Sequence, residues 1–475
     1  MERISYNKTK IVATVGPASN NKEMLRALAK EGVDVFRLNF SHGSHEDHLK
    51  VIHFVREINK ELGANIALLQ DLQGPKIRVN EMKPGVEIVA GQELIITTRE
   101  VLGNNELVST SYEGLPNDVK VGDMILIDDG KLELKVKEVR DIDVVCAVVY
   151  GGPLKSRKGI NLPFSKVSAP SLTEKDMEDL LFGLKHNVDW VALSFVRKEQ
   201  DIISLRAIID EHKSTTRIVA KIEKPEALEN IDAIIAATDA VMVARGDLGV
   251  EIWMEEVPMV QKMLIQKCNK ASKPVIVATQ MMESMIENPR PTRAETNDVA
   301  NAVMDGADAL MLSAETAAGK YPIEVIRSMV RTIGSVEKNG DIFYRFHEVD
   351  PQSANYFNDS LILTACKLAK DVNAKAIVGM TQLGYSATKA SSHRPNANIF
   401  AFTSNESIIN TMNLVWATRA YHYDKASSTD STIADVERIL KQDGHVKTGD
   451  IFIILASMPI QERGRSNMIK VHVVS

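Results

Sequence analysis

Cysteine is scarce in this chain. Cys146, Cys268 and Cys366 are the only three in 475 residues, and their wide separation excludes a CxxC zinc site and argues against a disulfide framework. They read as small buried hydrophobes. No apolar run reaches the length of a membrane span, and residues 1–8 lack the charged-then-apolar layout of a secretion signal. The expectation is a cytosolic protein. A basic excess is missing too: 57 Lys and Arg face 63 Asp and Glu, a formal charge of −6. Bulk charge therefore does not draw nucleic acid, while small anionic ligands stay open. Neither GxxxxGK[ST] nor GxGxxG occurs, so any nucleotide is held by other means. Internal repeats and low-complexity tracts are also absent.

What is present is a soluble globular composition, 44% hydrophobic and 25% charged, in a chain long enough for two or three domains. Eight β-forming runs, at 10–15, 33–39, 65–71, 189–195, 217–223, 239–245, 274–280 and 308–313, are each followed by polar residues and a helical pattern. That alternation predicts an α/β fold built on a (β/α)8 TIM barrel. In such a barrel the strand ends facing the βα loops form the active site. Arg37, Asn39, Ser41, His42, Asp71, Ser194, Lys221, Glu223, Asp247, Thr279, Ser313 and Glu315 fall at those ends. Between the third and fourth runs, residues 73–166 change texture. Short alternating strands at 93–98, 124–127, 132–136 and 144–149 are broken by glycines, which predicts a small inserted all-β domain able to close over a site. From 341 to 475 the pattern restarts, with helices at 361–371 and 385–392 and strands at 376–380, 398–402, 451–455 and 470–474. This predicts a C-terminal α/β domain with a mostly parallel sheet. The barrel itself takes residues 1–72 and 167–340.

The sharpest chemical signal is Lys221-Ile222-Glu223. In a strand, residues two apart share a side, so a cation and a carboxylate enter one pocket. A solvated Lys–Glu salt bridge is the plain alternative. The apolar run Ile218-Val219-Ala220 before it speaks for a strand buried on both sides, whose charged end needs a reason. The next run ends in Arg245-Gly246-Asp247, adding a second acid whose neighbouring glycines leave backbone amides free for an anion. Two acids beside a lysine suit a hard divalent cation and a phosphorylated substrate. His42, His45 and His48 lie three apart, but a surface helix turn accounts for His45 and His48 at least as well as zinc does. Asn39, Ser41 and Asp71 offer oxygen ligands to a hard cation, or caps and turns. Thr381 to Ser386, between a strand and a helix with Lys389, His393 and Arg394 downstream, reads as a phosphate pocket or as an ordinary capped turn.

With these residues in place the chain resembles the pyruvate kinase family over essentially its whole length. The matching segments are TKIVATVGPAS at 9–19, FRLNFSHG at 36–43, DLQGPKIR at 71–78, SRKGINL at 156–162, AKIE at 220–223, MVARGDLGVE at 242–251, ATQMMESM at 278–285 and MDGADALMLSAETAAG at 304–319. The resemblance implies phosphoryl transfer from phosphoenolpyruvate to ADP, giving pyruvate and ATP. It implies Mg2+, with Mn2+ as a substitute, on Glu223 and Asp247, and Lys221 as the charge stabiliser. Arg37 and Arg78 are implied as phosphate contacts, and Arg78, His42 and Lys158 as nucleotide contacts. Gly246, Asp247 and Thr279 would hold the substrate carboxylate, and Thr279, Ser313 and Glu315 would line the path of the proton. Many members need K+ on residues matching Asn39, Ser41, Asp71 and the Leu72 carbonyl, and carry Glu where this chain has Lys76. An ammonium there would stand in for the ion, so activity without K+ is expected. The C-terminal loop with Thr381 and Ser386 implies activation by a sugar phosphate or AMP, and the family implies a homotetramer. Two other classes compete: a barrel aldolase using Lys221 as a Schiff base, disfavoured because nearby acids keep the amine protonated, and an inactive relative kept as a metabolite sensor.

Overall fold

The computed structural model describes residues 6–163, 165, 167–425, 428–458 and 464–475. Eight parallel strands close into a barrel: β1 (Lys10–Val15), β2 (Val35–Asn39), β3 (Ala67–Asp71), β4 (Trp190–Leu193), β5 (Arg217–Ile222), β6 (Ala240–Ala244), β7 (Val275–Ala278) and β8 (Ala309–Leu312). Each pairs with its sequence neighbours, and β1 closes on β8 in the register Lys10 to Ala309. The strands read as continuous apolar runs because both faces are buried. Along β1, Ile11 and Ala13 pack outward against the helices while Val12 faces the barrel interior with Val35, Leu69, Trp190, Met242 and Ile276. Period-2 alternation thus divides one run between two cores.

Several strands end earlier than their runs suggest, for a backbone reason. Phe195 at φ 55°, Thr279 at φ 72° and Gln280 at φ 53° are left-handed, a conformation that leaves the sheet and is costly for a β-branched residue. Both turns lie at the mouth.

The opposite end is stitched by a repeated device. Asp34, Asp189, Asp239 and Asp308 each stand directly before an even-numbered strand. Each carboxylate accepts from a backbone amide of the preceding strand: Ile11 at 2.9 Å, Leu68 at 2.7 Å, Ile218 at 2.8 Å and Val275 at 3.1 Å. Each also meets a cation, Lys10, Arg56, Arg206 and Arg394 respectively. The barrel floor is therefore closed by four charge-assisted clips.

The insert holds a six-stranded sheet in the order Ile160–Asn161, Met124–Ile127, Leu132–Arg140, Asp143–Tyr150, Glu93–Thr97 and Leu107–Ser109, around its own apolar core. The four longer strands are those expected. The C-terminal sheet runs Thr418–His422, Asn398–Thr403, Ala376–Met380, Ile451–Ala456 and Met468–Val473, with only the last strand antiparallel. Thr418–His422 and the helix Thr429–Gln442 were not expected from the sequence. The former is a short edge strand whose alternation, buried Thr418 and Ala420 against half-exposed Arg419 and Tyr421, carries little apolar signal. No helix among the described residues is long and apolar enough to cross a membrane.

Candidate active site

Strand register builds the site. Lys221 in β5 and Glu223 just after its end meet side chain to side chain, and both are buried. The Lys221 ammonium sits between three acceptors: Glu223 Oε1 at 2.9 Å, Asp71 Oδ1 at 3.1 Å and Ser194 Oγ at 2.7 Å. These come from the ends of β5, β3 and β4. Ser194 passes its own proton to the Leu72 carbonyl at 2.7 Å, which fixes the direction of its lone pairs toward Lys221. Asp71, 1% exposed, is held on its other oxygen by Arg37 Nε at 2.6 Å, and Arg37 Nη1 donates to Thr14 Oγ1 at 3.0 Å. Glu223 Oε2 accepts from the Phe195 amide at 2.8 Å, a contact that depends on the left-handed turn of Phe195.

The charges set one another. Burial alone would push the Lys221 ammonium down, but the carboxylates of Asp71, Glu223 and Asp247 outweigh it and hold it well above the ordinary lysine value. Asp71 shows the reverse balance: burial raises it, and Lys221 and Arg37 bring it below the usual carboxylate value. Glu223 stays raised, chiefly by burial and also by the neighbouring Asp247 charge, despite Lys221. Two repelling carboxylates at adjacent strand ends, Glu223 after β5 and Asp247 in the first turn after β6, are the oxygen donor pair that a hard divalent cation neutralises. That donor set, two carboxylates on neighbouring strand ends, has the chemistry that suits a divalent cation.

Beside this pair, the helix Arg245–Glu251 starts at the mouth, and its Gly246 amide donates to Thr279 Oγ1 at 2.7 Å. A Cβ at Gly246 would come within 3.2 Å of that oxygen, so a side chain there would crowd the hydroxyl. Thr279 in turn donates to the Ala278 carbonyl at 2.6 Å, and Arg245 Nη2 braces the Thr279 carbonyl at 2.7 Å. Those braces hold the strained Thr279 backbone. Glu315 is buried, its pKa raised by that burial, and its oxygens accept from the Ser313 amide at 2.7 Å and the Met282 amide at 3.2 Å. It cross-links the loops after β7 and β8 and so orders the corner that carries Ser313.

The remaining expected residues divide. Asn39 Oδ1 accepts from the Ser41 amide at 3.2 Å, a turn bond next to Asp71. Lys158 pairs with Asp128 at 2.7 Å, and Arg78 bridges by its backbone to Gly159. Both lie on the insert side of the mouth. His42 is exposed, and its carbonyl accepts from His48 Nε2 at 3.0 Å, while His45 meets Asp179 at 2.6 Å. The histidines diverge to separate partners, as the surface-helix reading has it.

Two placements correct the sequence reading. The Lys76 ammonium lies 3.9 Å from Asp247 Oδ1, not among Asn39, Ser41 and Asp71. Asp71 is already neutralised by Arg37 and Lys221, and Asp247 is the half-exposed carboxylate left to attract it. Arg394 and His393 do not join the loop of Thr381 and Ser386. Arg394 is fully buried and forks onto Asp308 at 3.1 and 3.0 Å, with Asn269 Oδ1 at 2.8 Å and the Gly306 carbonyl at 2.7 Å. It pins the C-terminal domain to the barrel floor. Burial, reinforced by His347, Lys389 and Lys367, lowers the pKa of His393 to about 3. Within the loop, Thr381 Oγ1 accepts from the Gly384 amide at 3.0 Å, with Gly384 left-handed at φ 79°, and Ser386 is buried. Lys389 pairs with Asp359 at 3.4 Å.

Sequence reasoning missed Thr14, which orients Arg37, and a buried node of Lys224, Glu251 and Asn161. Thr14 lies in the middle of the recognised segment 9–19, but nothing local marks its hydroxyl as a partner of Arg37.

Comparison with known proteins agrees with this geometry. Residues 6–326 match the family model described as pyruvate kinase, barrel domain, and residues 359–472 the one described as pyruvate kinase, alpha/beta domain. A pyruvate kinase of Staphylococcus aureus (strain MRSA252) is 45% identical over 474 residues, covering 98% of this chain and 80% of the relative. One of Staphylococcus epidermidis (strain ATCC 12228) is similar to the same degree over the same span. The crystal structure of a pyruvate kinase from Cryptosporidium parvum superposes with a TM-score of 0.93 at 37% identity, covering 99% of this chain and 96% of that one. The chain is a phosphotransferase belonging to the pyruvate kinase family.

Proposed function

We propose that the protein transfers the phosphoryl group of phosphoenolpyruvate to ADP, yielding pyruvate and ATP, at the mouth around Lys221. The observation that carries this reading is the buried ammonium of Lys221 between Asp71, Glu223 and Ser194. Phosphoryl transfer needs fixed positive charge where the loose transition state gathers negative charge, and little covalent chemistry from the protein. Lys221 serves that need because its carboxylate neighbours keep it charged; the same neighbours oppose the neutral amine of a Schiff-base lysine. Arg37, held by Asp71 and Thr14, presents its guanidinium to the phosphate. The first turn of the helix Arg245–Glu251, at Gly246 and Asp247, orients the substrate carboxylate together with Thr279, whose hydroxyl the Gly246 amide holds. Glu223 and Asp247 hold the divalent cation, Mg2+ or Mn2+, which when bound neutralises phosphoryl oxygens as a Lewis acid. The insert, residues 73–166, acts as a lid carrying Arg78 and Lys158 to the nucleotide, with His42 on the barrel rim opposite.

Three finer readings belong to the same proposal. Turnover without K+ is read from Lys76 as a fixed cation at the mouth beside Asp247, not as an ammonium seated among Asn39, Ser41 and Asp71. The loop of Thr381 and Ser386, with its left-handed Gly384, supports activation by a sugar phosphate or AMP. The active assembly is a homotetramer in the cytoplasm.

Pyruvate formation from phosphoenolpyruvate and ADP with Mg2+, in sodium and in potassium buffers, tests the reading. Equal turnover in both is expected. Strong stimulation by K+ would remove the role given to Lys76, and no turnover under any condition, with sugar phosphates and AMP added, would leave the metabolite-sensor alternative. Loss of a sugar-phosphate or AMP response in Ser386→Asp is expected; an unchanged response would put the effector elsewhere.

A further inference from the structure

The helix Arg245–Glu251 offers its first turn to the substrate and its last residue to the insert. Glu251, 1% exposed, accepts on Oε1 from Lys224 Nζ at 2.6 Å and from Asn161 Nδ2 at 2.8 Å. Lys224, 8% exposed, directly follows Glu223, and Asn161 belongs to the insert strand Ile160–Asn161. One buried carboxylate therefore grips the loop after β5, the helix after β6 and the insert. Such a node is far stronger than a solvated rim contact.

The surrounding contacts lead to the same place. A Cβ at Gly130 of the insert would touch Val250 Cγ1 at 4.0 Å, and Lys76 on the first connection reaches Asp247. On that connection Gly74 is left-handed at φ 69°, and a Cβ there would stand 2.7 Å from the Phe195 ring. Phe195 is the residue whose amide holds Glu223, and the Lys224 ammonium lies 5.8 Å over its ring. Glu251 Oε2, moreover, is buried without a hydrogen-bond partner among the described residues. The same carboxylate thus holds a second buried acceptor beside the one that Asn161 uses.

We infer that Glu251 is a positioning residue for the phosphoryl transfer: through Asn161 it latches the insert over the mouth, and through Lys224 it ties that position to the loop bearing Glu223. The inference rests on the assignment of Glu223 and Asp247 given above. Because Arg78 and Lys158 ride on the insert, the latch governs the nucleotide and leaves phosphoenolpyruvate to the barrel.

Steady-state kinetics of the full chain, with ADP and phosphoenolpyruvate varied separately, test it on Asn161→Ala and Glu251→Gln. Asn161→Ala keeps the Lys224–Glu251 pair and should keep the parent's thermal midpoint. Its KM for ADP should rise about tenfold, the loss expected for one partly buried charge-assisted hydrogen bond, with KM for phosphoenolpyruvate nearly unchanged. Limited proteolysis of the same variant without substrates should cut the insert connections faster than in the parent. The double variant should be no worse than Glu251→Gln alone, because both changes open one latch. Parent constants and parent cleavage rates in Asn161→Ala would overturn the latch, as would equal rises in both KM values. If Glu251→Gln does not fold, Asn161→Ala decides alone. An inactive parent enzyme would defeat the proposed function instead, so the two failures are distinguishable.

Discussion

The two ends of the barrel use the same residue types to opposite purposes. At the floor, Asp34, Asp189, Asp239 and Asp308 are each closed into a ring of bonds. Asp308 alone receives both guanidinium nitrogens of Arg394, the Val275 amide and the Trp416 amide at 3.3 Å. At the mouth, Lys221, Asp71 and Glu223 are buried as well and Arg37 is partly buried, yet the Asp247 charge opposes that of Glu223 and the flanking backbone at Phe195 and Thr279 is left-handed. Satisfied buried charge fixes a geometry; unbalanced buried charge waits for a ligand of opposite sign. The difference teaches that burial of a charge does not by itself mark a catalytic group. Burial raises Asp34 and Asp189 at the floor as it raises Glu223, but only Glu223 has a second carboxylate, Asp247, opposing it, and that like-charged neighbour is what marks the mouth.

Substitutions at the two ends should therefore fail in different ways. The largest effect on rate is expected from Glu223→Gln, which removes one of the two carboxylates proposed to hold the divalent cation: kcat should fall about a thousandfold, with the fold intact by circular dichroism. At the floor, Arg394→Met leaves Asp308 buried without its cation and should cost about 3 kcal/mol in urea unfolding, while kcat at a permissive temperature stays near the parent's. Equal kinetic damage from both would erase the distinction. Thr279→Ala removes the hydroxyl that joins the Gly246 amide to the Ala278 carbonyl, and KM for phosphoenolpyruvate should rise about tenfold; Thr279→Ser, which keeps that hydroxyl, should restore most of the affinity.

A pH dependence sharpens the floor side. His393 titrates near 3 in the folded protein, against an ordinary value of 6.5. The unfolded chain thus binds one more proton between those values, and stability must fall as pH drops below 6.5, by at most about 1.4 kcal/mol per unit from this group. In His393→Gln the unfolding midpoint should depend less steeply on pH between 4 and 6. An unchanged slope would mean that His393 takes up protons in the folded state.

Much of the architecture was legible because strands buried on both faces spell themselves as apolar runs, and Lys221 with Glu223 was legible because a strand has period 2. The four floor aspartates also follow a visible rule, one directly before each even-numbered strand, although their amide partners lie a whole βα unit away. The helix Thr429–Gln442 left a readable trace in Ile433, Val436 and Leu440 behind the Ser428 cap. Other features had no local trace. The left-handed turns of Phe195, Thr279 and Gln280 are imposed by their surroundings on residues that do not favour them. The destination of Arg394 and the meeting of Asn161, Lys224 and Glu251 depend on contacts between segments up to 125 residues apart.

The most direct test of the account is kcat for pyruvate formation by Lys221→Met, measured where its unfolding midpoint matches the parent's. The account predicts a folded protein that binds ADP and has lost nearly all turnover. A folded Lys221→Met enzyme working at the parent's rate would contradict it, because the charge at the centre of the mouth would then have no part in the chemistry.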